Sequence, residues 1–188
     1  TRVFEKCQTP KFVASEARHA KSNKDKRPKT LSGFALQFNE KQKIRFMYGI
    51  SEKQFGNYVN EAVAHKGTPA TEYLFELLET RLDNVTYRLG LASTRRLSRQ
   101  LVSHGHITVN GKQVTVASHR VRVGDIIAVR LGSQKSPLFA DMDTKLKDYT
   151  TPNWLSFDIG KLSGNVAGKP KNTEGYLDLN TVLEFYSR

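Results

Sequence analysis

A single cysteine, Cys7, stands in a chain of 188 residues. It excludes an internal disulfide and fits a reducing compartment. No apolar run approaches the ~20 residues of a membrane-spanning helix. The N-terminal stretch lacks the apolar core of a signal peptide. The chain begins at Thr1 rather than Met, which leaves open a processed or longer N-terminus. Phosphate-cradling glycine loops are missing: neither G-x-x-x-x-G-K-[ST] nor G-x-G-x-x-G occurs. So is the G-x-S-x-G turn that presents a nucleophilic serine. The acids do not cluster as a paired-carboxylate site would. Cys7 sits in a basic, weakly patterned segment that offers no obvious niche for a reactive thiolate. Only His19 accompanies it there, against the four ligands of a structural zinc site. No fixed-period repeat is present. The expectation is a chain that is not an enzyme and has no cofactor or bound metal.

Acidic residues are also scarce. Eighteen Asp and Glu face 30 Lys and Arg, for a net charge of +12 and a pI near 9.9. Such a balance calls for a polyanionic partner. The excess is segregated: residues 1–48 hold eight Lys and four Arg against four acids, a net +8. A uniformly solvated surface would not divide its charge in this way. Apolar residues make up 38%, low for a globular chain but too many for a fully disordered one.

What is present falls into segments. Residues 1–30 show little periodicity, and "KSNKDKRPK" is a charge run with a proline, so a solvated basic arm is expected, with ordering on a phosphate backbone as the sharper alternative. Residues 38–65 read as two helices. Asn39 is expected to cap the first and Gly49 to end it. Ser51 opens the second, with Phe55, Tyr58, Val59, Ala62 and Val63 at helical spacing. Thr71 precedes a helical stripe of Leu74, Leu77, Leu78, Leu82, Val85 and Leu89, interrupted near Asp83-Asn84 and ended by Gly90. A strand pair is expected in "HRVRVGDIIAVRL" about a Gly124-Asp125 turn. "PNWLSFDIGKLSGNVAG" reads as further strand, with Trp154, Leu155, Phe157 and Ile159 in the core. Residues 133–150 are polar and mixed. "DLNTVLEFYSR" closes the chain as a short helix carrying Leu179, Val182, Leu183 and Phe185.

Between these lies "STRRLSRQLVSHGHITVNGKQV", residues 93–114, whose period changes halfway. Ser93 or Thr94 caps a helix of about three turns with Leu97, Leu101 and Val102 inward. Arg95, Arg96 and Arg99 share the opposite face. Gly105 is placed to end the helix in a left-handed conformation. Period two follows, and the Asn110-Gly111 pair signals a tight hairpin that sets Ile107 against Val114 and Thr108 against Gln113. Three roles fit such a helix: a solvated surface, a DNA recognition helix, or an RNA clamp. A helix-turn-helix would continue into helix or a wing and would want dimer symmetry. The strand-rich continuation and the global charge favour the RNA clamp, in which arginine forks bond pairs of phosphate oxygens. Gln100, Ser103 and His104 would add hydrogen bonds to sugar or phosphate. His104 and His106 read as surface or phosphate-facing histidines rather than metal ligands.

The stretch "RLDNVTYRLGLASTRRLSRQLVSHGHITVNG", residues 81–111, resembles the RNA-binding module of the family of small ribosomal subunit protein four. That module also occurs in some pseudouridine synthases, tyrosyl-tRNA synthetases and RNA-binding stress proteins. "LQFNEKQKIRFMYGISEKQFGNYV" resembles the ribosomal family's helical domain, and "PNWLSFD" and "VLEFYSR" resemble its C-terminal end. The likeness runs from about residue 34 to 188. A modification enzyme would need a catalytic domain for which no residues remain, and a free-standing RNA-binding factor would lack the helical domain.

The resemblance implies an α+β fold: a mostly helical domain into which a small antiparallel-sheet RNA-binding module is inserted. Expected boundaries are a basic arm over 1–30, a helical domain over 31–80 completed by 170–188, and the module over 81–169 with its core at 81–132. It implies a structural constituent of the small ribosomal subunit that binds the 5′ domain of small-subunit rRNA and nucleates assembly. Implied partners are that rRNA, the neighbouring small-subunit proteins three and five, and mRNA at its entrance channel, with an influence on decoding accuracy and no membrane. The implied place is the small subunit, in the cytoplasm or in an organelle. Candidate rRNA-binding residues are Arg95, Arg96, Arg99, Gln100, Ser103, His104 and Lys112, with Arg81 and Arg88 beside them. Lys41, Lys43, Arg45 and Lys53 on the helical domain and Lys11, Arg18 and Lys21 on the arm complete the set. The chain departs from the family in places. "KCQTPKF" keeps Cys7 but has Phe12 near where a further zinc-binding cysteine would stand, so zinc is not expected. "HAKSNKDKRPKTLSGF" has lysines in place of a P-G-x-H-G loop. Arg96 stands where many members carry a less basic residue, which should strengthen the grip.

Overall fold

The computed structural model describes residues 7, 9–22, 31–140, 142–146, 149–172 and 177–187. The chain forms two compact units, one from residues 1–59 with 174–188 and the other from residues 60–173. Residues 60–80, expected with the helical domain, therefore cluster with the second unit.

In the first unit, α1 spans Pro10–Ser22. The weak periodicity of the expected solvated arm does not suggest this helix: Thr9 caps it, its hydroxyl accepting the Phe12 N–H at 3.4 Å. The remainder of the "KSNKDKRPK" run, residues 23–29, lies outside the described residues. Helix α2 spans Gly33–Tyr48. Ser32, not Asn39, is its cap, the hydroxyl accepting from the Ala35 N–H at 3.3 Å. Asn39 is mid-helix, because "GFALQ" continues the helix upstream without a breaker. Gly49 ends α2 with φ +62°, the left-handed conformation that suits glycine. Helix α3, Glu52–Ala64, starts at the Ser51 cap. The C-terminal helix of this unit spans Leu179–Tyr186 and is capped by Asp178, which accepts from the Thr181 N–H at 3.0 Å and hydroxyl at 2.6 Å. Those two bonds hold the Asp178 carboxyl below the ordinary aspartate range. This helix lies on α2, with the rings of Phe34, Phe38 and Phe185 at centroid distances of 5.6–6.3 Å. Ile44, Tyr48, Phe55, Val59, Leu179 and Val182 are buried.

The second unit takes in the end of α3 from residue 60 and continues with α4, Ala70–Glu79, and α5, Leu82–Arg88. The break falls at Thr80-Arg81, and Asp83 and Asn84 instead lie buried in the first turn of α5. Helix α6 spans Arg95–Ser103, and Thr94 caps it by accepting the Leu97 N–H at 3.2 Å. The sheet is antiparallel: β1 Ile107–Val109, β2 Lys112–Gln113, β3 Ile126–Val129, β4 Leu155–Asp158 and β5 Ser163–Val166, in the order β2-β1-β3-β5-β4. Asn110 and Gly111 take φ +51° and +78°, as a type I′ hairpin turn requires, and Thr108 faces Gln113. The strand expected before Gly124 does not join the sheet. Its backbone bonds residues 80–83 instead: Val121 N–H donates to Thr80 at 2.9 Å, and Leu82 N–H to His119 at 2.8 Å. The segment thus satisfies the open N–H groups at the start of α5.

Between β3 and β4 the polar-looking stretch forms two short helices, α7 Leu131–Gln134 and α8 Met142–Leu146, so that the Leu179–Tyr186 helix is α9. Phe139, Met142 and Leu146 reach the core from this stretch. That core joins Leu82, Val85 and Leu89 of α5, Leu101 and Val102 of α6, and Ile107, Ile127, Val129, Leu155 and Val166 of the sheet. Trp154, Phe157 and Ile159 pack against it half-buried. Gly164 of β5 lets α5 approach closely, since a Cβ there would overlap the Leu89 side chain.

Candidate nucleic-acid interface

Helix α6 divides its residues sharply. Ser98, Leu101 and Val102 are buried, while Arg96, Gln100, Ser103 and His104 are exposed. The inward face follows the leucine spacing, and Ser98 belongs to it because its hydroxyl donates to the Asp83 carbonyl of α5. Gly105, at φ +73°, then turns the chain into β1. A Cβ on Gly105 would overlap the Gln113 side chain, so β2 lies against the end of α6. Lys112, exposed on β2, thereby joins the surface that α6 presents. On the other side of β1, the Arg130 N–H donates to the His106 carbonyl at 2.8 Å, which brings a further exposed cation beside the turn. The His106 ring lies 2.9 Å from the Ser133 hydroxyl through Nδ1.

Charge around this surface is one-sided. Residues 84–140 contain nine Lys and Arg and one acid, Asp125. That carboxylate accepts from the Asn110 side chain at 2.8 Å and from the Arg122 N–H at 2.7 Å, so it is engaged in shaping the two turns. Exposed Arg122, Arg130 and Lys135 were not among the sequence candidates. The acid-poor composition of this run is the signal that identifies them.

The candidates divide by environment. Arg81 is fully buried and its guanidinium bonds Asp83, Nη2 to Oδ2 at 2.6 Å and Nε to Oδ1 at 3.0 Å. It is corrected from phosphate ligand to core residue, since a buried charge is held where a partner neutralises it. Arg88 lays Nε and Nη2 on the carboxylate of buried Glu79, each at 3.0 Å. Arg95 is half-buried, donating to Asn84 Oδ1 at 2.9 Å with its guanidinium 4.4 Å from the Tyr87 ring centre. Arg99 is half-buried, and its carbonyl accepts from the Ser103 hydroxyl at 2.8 Å.

In the first unit, Lys41 is also corrected. Its ammonium is buried 2.6 Å from Glu52 and 4.5 Å from the Phe185 ring centre, so it ties α2 to α9 and α3. The Tyr186 hydroxyl donates to the same carboxylate at 2.9 Å. Partial burial pulls the Glu52 carboxyl upward, but the bonds from Lys41 and Tyr186 outweigh it and the net shift is down. Burial and that carboxylate push the Tyr186 phenol well up. Lys43 pairs with Glu40 at 3.1 Å, and Arg45 with Gln42 at 2.8 Å and Glu52 at 3.7 Å. Lys53, Lys11 and Arg18 are exposed. Lys21 lies on α1, and its side chain falls outside the described residues. Among the described residues, no group of three or more His, Cys, Asp or Glu is placed to hold a metal, and no helix is long and apolar enough to cross a membrane.

Two family models match adjoining parts of the chain: the ribosomal protein S4/S9 N-terminal domain over residues 2–79 and the S4 domain over residues 80–127. Among curated relatives, small ribosomal subunit protein uS4 of Acetivibrio thermocellus is 42% identical over 186 residues, which cover 98% of this chain and 89% of that protein. The uS4 of Persephonella marina is 46% identical over 160 residues, 84% of this chain and 78% of that protein. The uS4A of Alkaliphilus oremlandii is 42% identical over 98% of this chain. An α+β chain with an S4 domain, a helical companion and this degree of identity along nearly its whole length belongs to the bacterial-type uS4 family, as a structural and non-enzymatic protein of the small ribosomal subunit.

Proposed function

We propose that the chain binds small-subunit rRNA, in the 5′ domain, through the surface built by the outer face of α6, the β1–β2 hairpin and the start of α7. The observation that carries this reading is the acid-poor run over residues 84–140, in which Arg96, Lys112, Arg122, Arg130 and Lys135 stay exposed, Arg88 and Arg120 are paired with Glu79 and Glu61, and the one acid, Asp125, is internally bonded. Arg96, Gln100, Ser103, His104 and Lys112 are exposed on that surface, and Arg99 is half-buried beside them. Their side chains suit phosphate and sugar contacts, which position a protein on RNA by charge and shape. Lys53, Lys11 and Arg18, and Lys21 by its place on α1, extend the proposed contacts to the first unit. Arg88, Lys43 and Arg45, each in an intramolecular pair, serve mainly to shape their helices.

The family role then follows: early binding that nucleates assembly, proximity to small-subunit proteins three and five, and an influence on decoding where mRNA enters. Its place is the small subunit of a bacterial-type ribosome, cytoplasmic in a bacterium. The test is binding of the full chain to the 5′ domain of small-subunit rRNA and to a tRNA pool across a salt series. The reading expects tighter binding to the rRNA, with the preference persisting as salt weakens both. Equal binding, lost together as salt rises, would reduce the interaction to the +12 charge alone.

A further inference from the structure

The Asn84 side chain joins three helices. It is 2% exposed in the first turn of α5. Its amide nitrogen donates to the last residue of α4, reaching the Glu79 carboxylate at 2.9 Å and the Glu79 carbonyl at 3.1 Å. Its oxygen accepts from Arg95 Nε, on the first residue of α6, at 2.9 Å. With both amide hydrogens directed at Glu79, the oxygen can only face Arg95, so the network itself fixes the orientation of the amide. The Arg95 guanidinium is held from a second side by the Tyr87 ring at 4.4 Å. One turn further along α6, Ser98 donates to the Asp83 carbonyl. Two successive turns of α6 are therefore fastened to α5 by polar bonds.

A helix held this way has its rotation set about its own axis. Each residue turns the helix by ~100°, so a small rotation moves the exposed side chains off a phosphate track together. We infer that Asn84 is a positioning residue for RNA binding: it fixes Arg95, and through Arg95 the rotation of α6, so that Arg96 and Gln100 face the RNA. The inference rests on the rRNA-binding reading above. It reassigns Arg95 from direct phosphate contact to an anchor.

The chemistry makes Asn84 hard to replace. Aspartate has no donor for Glu79 and sets a second buried carboxylate against it, and like charges in a buried site repel strongly. Asn84→Asp should lower affinity for a 5′-domain rRNA fragment by about tenfold, the scale of one lost hydrogen bond to a charged group. Glu79→Gln combined with Asn84→Asp restores a donor opposite an acceptor and leaves the net charge of the joint unchanged, but it also removes the carboxylate that pairs with Arg88, so Glu79→Gln alone is measured beside it as the reference. That double variant should recover most of the loss, which a general destabilisation would not do. Tyr87→Leu adds no buried charge and removes the ring beneath Arg95, so it should weaken binding severalfold while the protein stays folded. The measurement is affinity of the full chain at fixed salt, with thermal unfolding in parallel. Wild-type affinity in Tyr87→Leu, or a folded double variant that shows the full Asn84→Asp loss on top of that of Glu79→Gln alone, would overturn the inference. Arg96→Ala separates the two levels. If it too binds as wild type, the interface reading fails; if it weakens binding while folded Asn84→Asp does not, the positioning role alone fails.

Discussion

Arg81 and Asp83 form a bidentate ion pair inside the second unit, with Arg81 fully buried and Asp83 4% exposed. Fifteen residues on, Arg96 stands exposed on α6. The two arginines should respond oppositely to truncation. Arg81→Ala leaves a buried carboxylate uncompensated and should cost about 3–5 kcal/mol of unfolding free energy. Arg96→Ala should stay within about 0.5 kcal/mol, as surface substitutions usually do. Urea denaturation of both variants decides the matter, and a larger loss in Arg96→Ala would reverse the assignment.

Glycines 105 and 56 make a second contrast. Gly105 has φ +73° and a Cβ there would meet the Gln113 side chain. Gly105→Ala should destabilise by about 1–3 kcal/mol, the cost of holding a side-chain residue in the left-handed region. Gly56 is inside α3, where a Cβ would meet only the Tyr186 ring at an ordinary 3.8 Å. Gly56→Ala should stabilise by about 0.4–1 kcal/mol through the lower entropy of the unfolded chain. Thermal melts of the two variants should move in opposite directions.

Glu61 and Arg120 supply a pH-dependent contribution. Arg120 donates through both terminal nitrogens to the Glu61 carboxylate, one bond measuring 2.6 Å, and those bonds hold the carboxyl below the usual glutamate value. A carboxyl depressed in the folded state adds stability above its unfolded pKa of about 4.3, and the contribution is lost as pH falls through the lower folded value. Both side chains are more than a third exposed, so the contribution should be at most about 1 kcal/mol and should shrink with salt. Urea unfolding of wild type and Glu61→Gln should differ at pH 7 and draw together as pH falls below about 4.3. A gap that widens toward acid would contradict the pairing.

Leu101, 3% exposed on the inner face of α6, separates support from contact. Leu101→Ala should cost about 2–5 kcal/mol. At a temperature where the variant is folded, the slope of log affinity against log salt should be unchanged, because no phosphate contact has been removed. A reduced slope in the folded variant would place Leu101's turn of helix in the interface.

What could be read from the sequence was mostly local. The Asn110-Gly111 turn, the cap of α6 at Ser93 or Thr94, of which Thr94 is the one, and the end of α6 at Gly105 each depend on a few adjacent residues whose backbone preferences agree. Of the outward face of α6 read from its leucine spacing, Arg96 is exposed while Arg95 and Arg99 are half-buried, Arg95 turned toward Asn84. The misreadings concern partners distant in sequence or competing local signals. "HRVRV" alternates like a strand, yet its backbone bonds the start of α5, far earlier in the chain, as with Val121 and Thr80 or His119 and Leu82. Phe139, Met142 and Leu146 lie in a stretch too polar to suggest a core, and only the finished sheet shows what they cover. Arg81 and Lys41 looked like surface cations because composition counts charge without showing Asp83 or Glu52 beside them. Asn39 resembled a helix cap because capping residues also occur inside helices when a stronger cap, here Ser32, stands upstream.

The most direct measurement is the salt dependence of binding to the rRNA 5′ domain for wild type and for the Arg96→Ala, Lys112→Ala double variant. Arg96 and Lys112 lie on different elements of the proposed surface and both are exposed. If each neutralises a phosphate, the slope of log affinity against log salt should fall by roughly two units in the double variant, with thermal stability retained. An unchanged slope and affinity in the folded double variant would contradict the placement of the RNA on the α6 and hairpin surface.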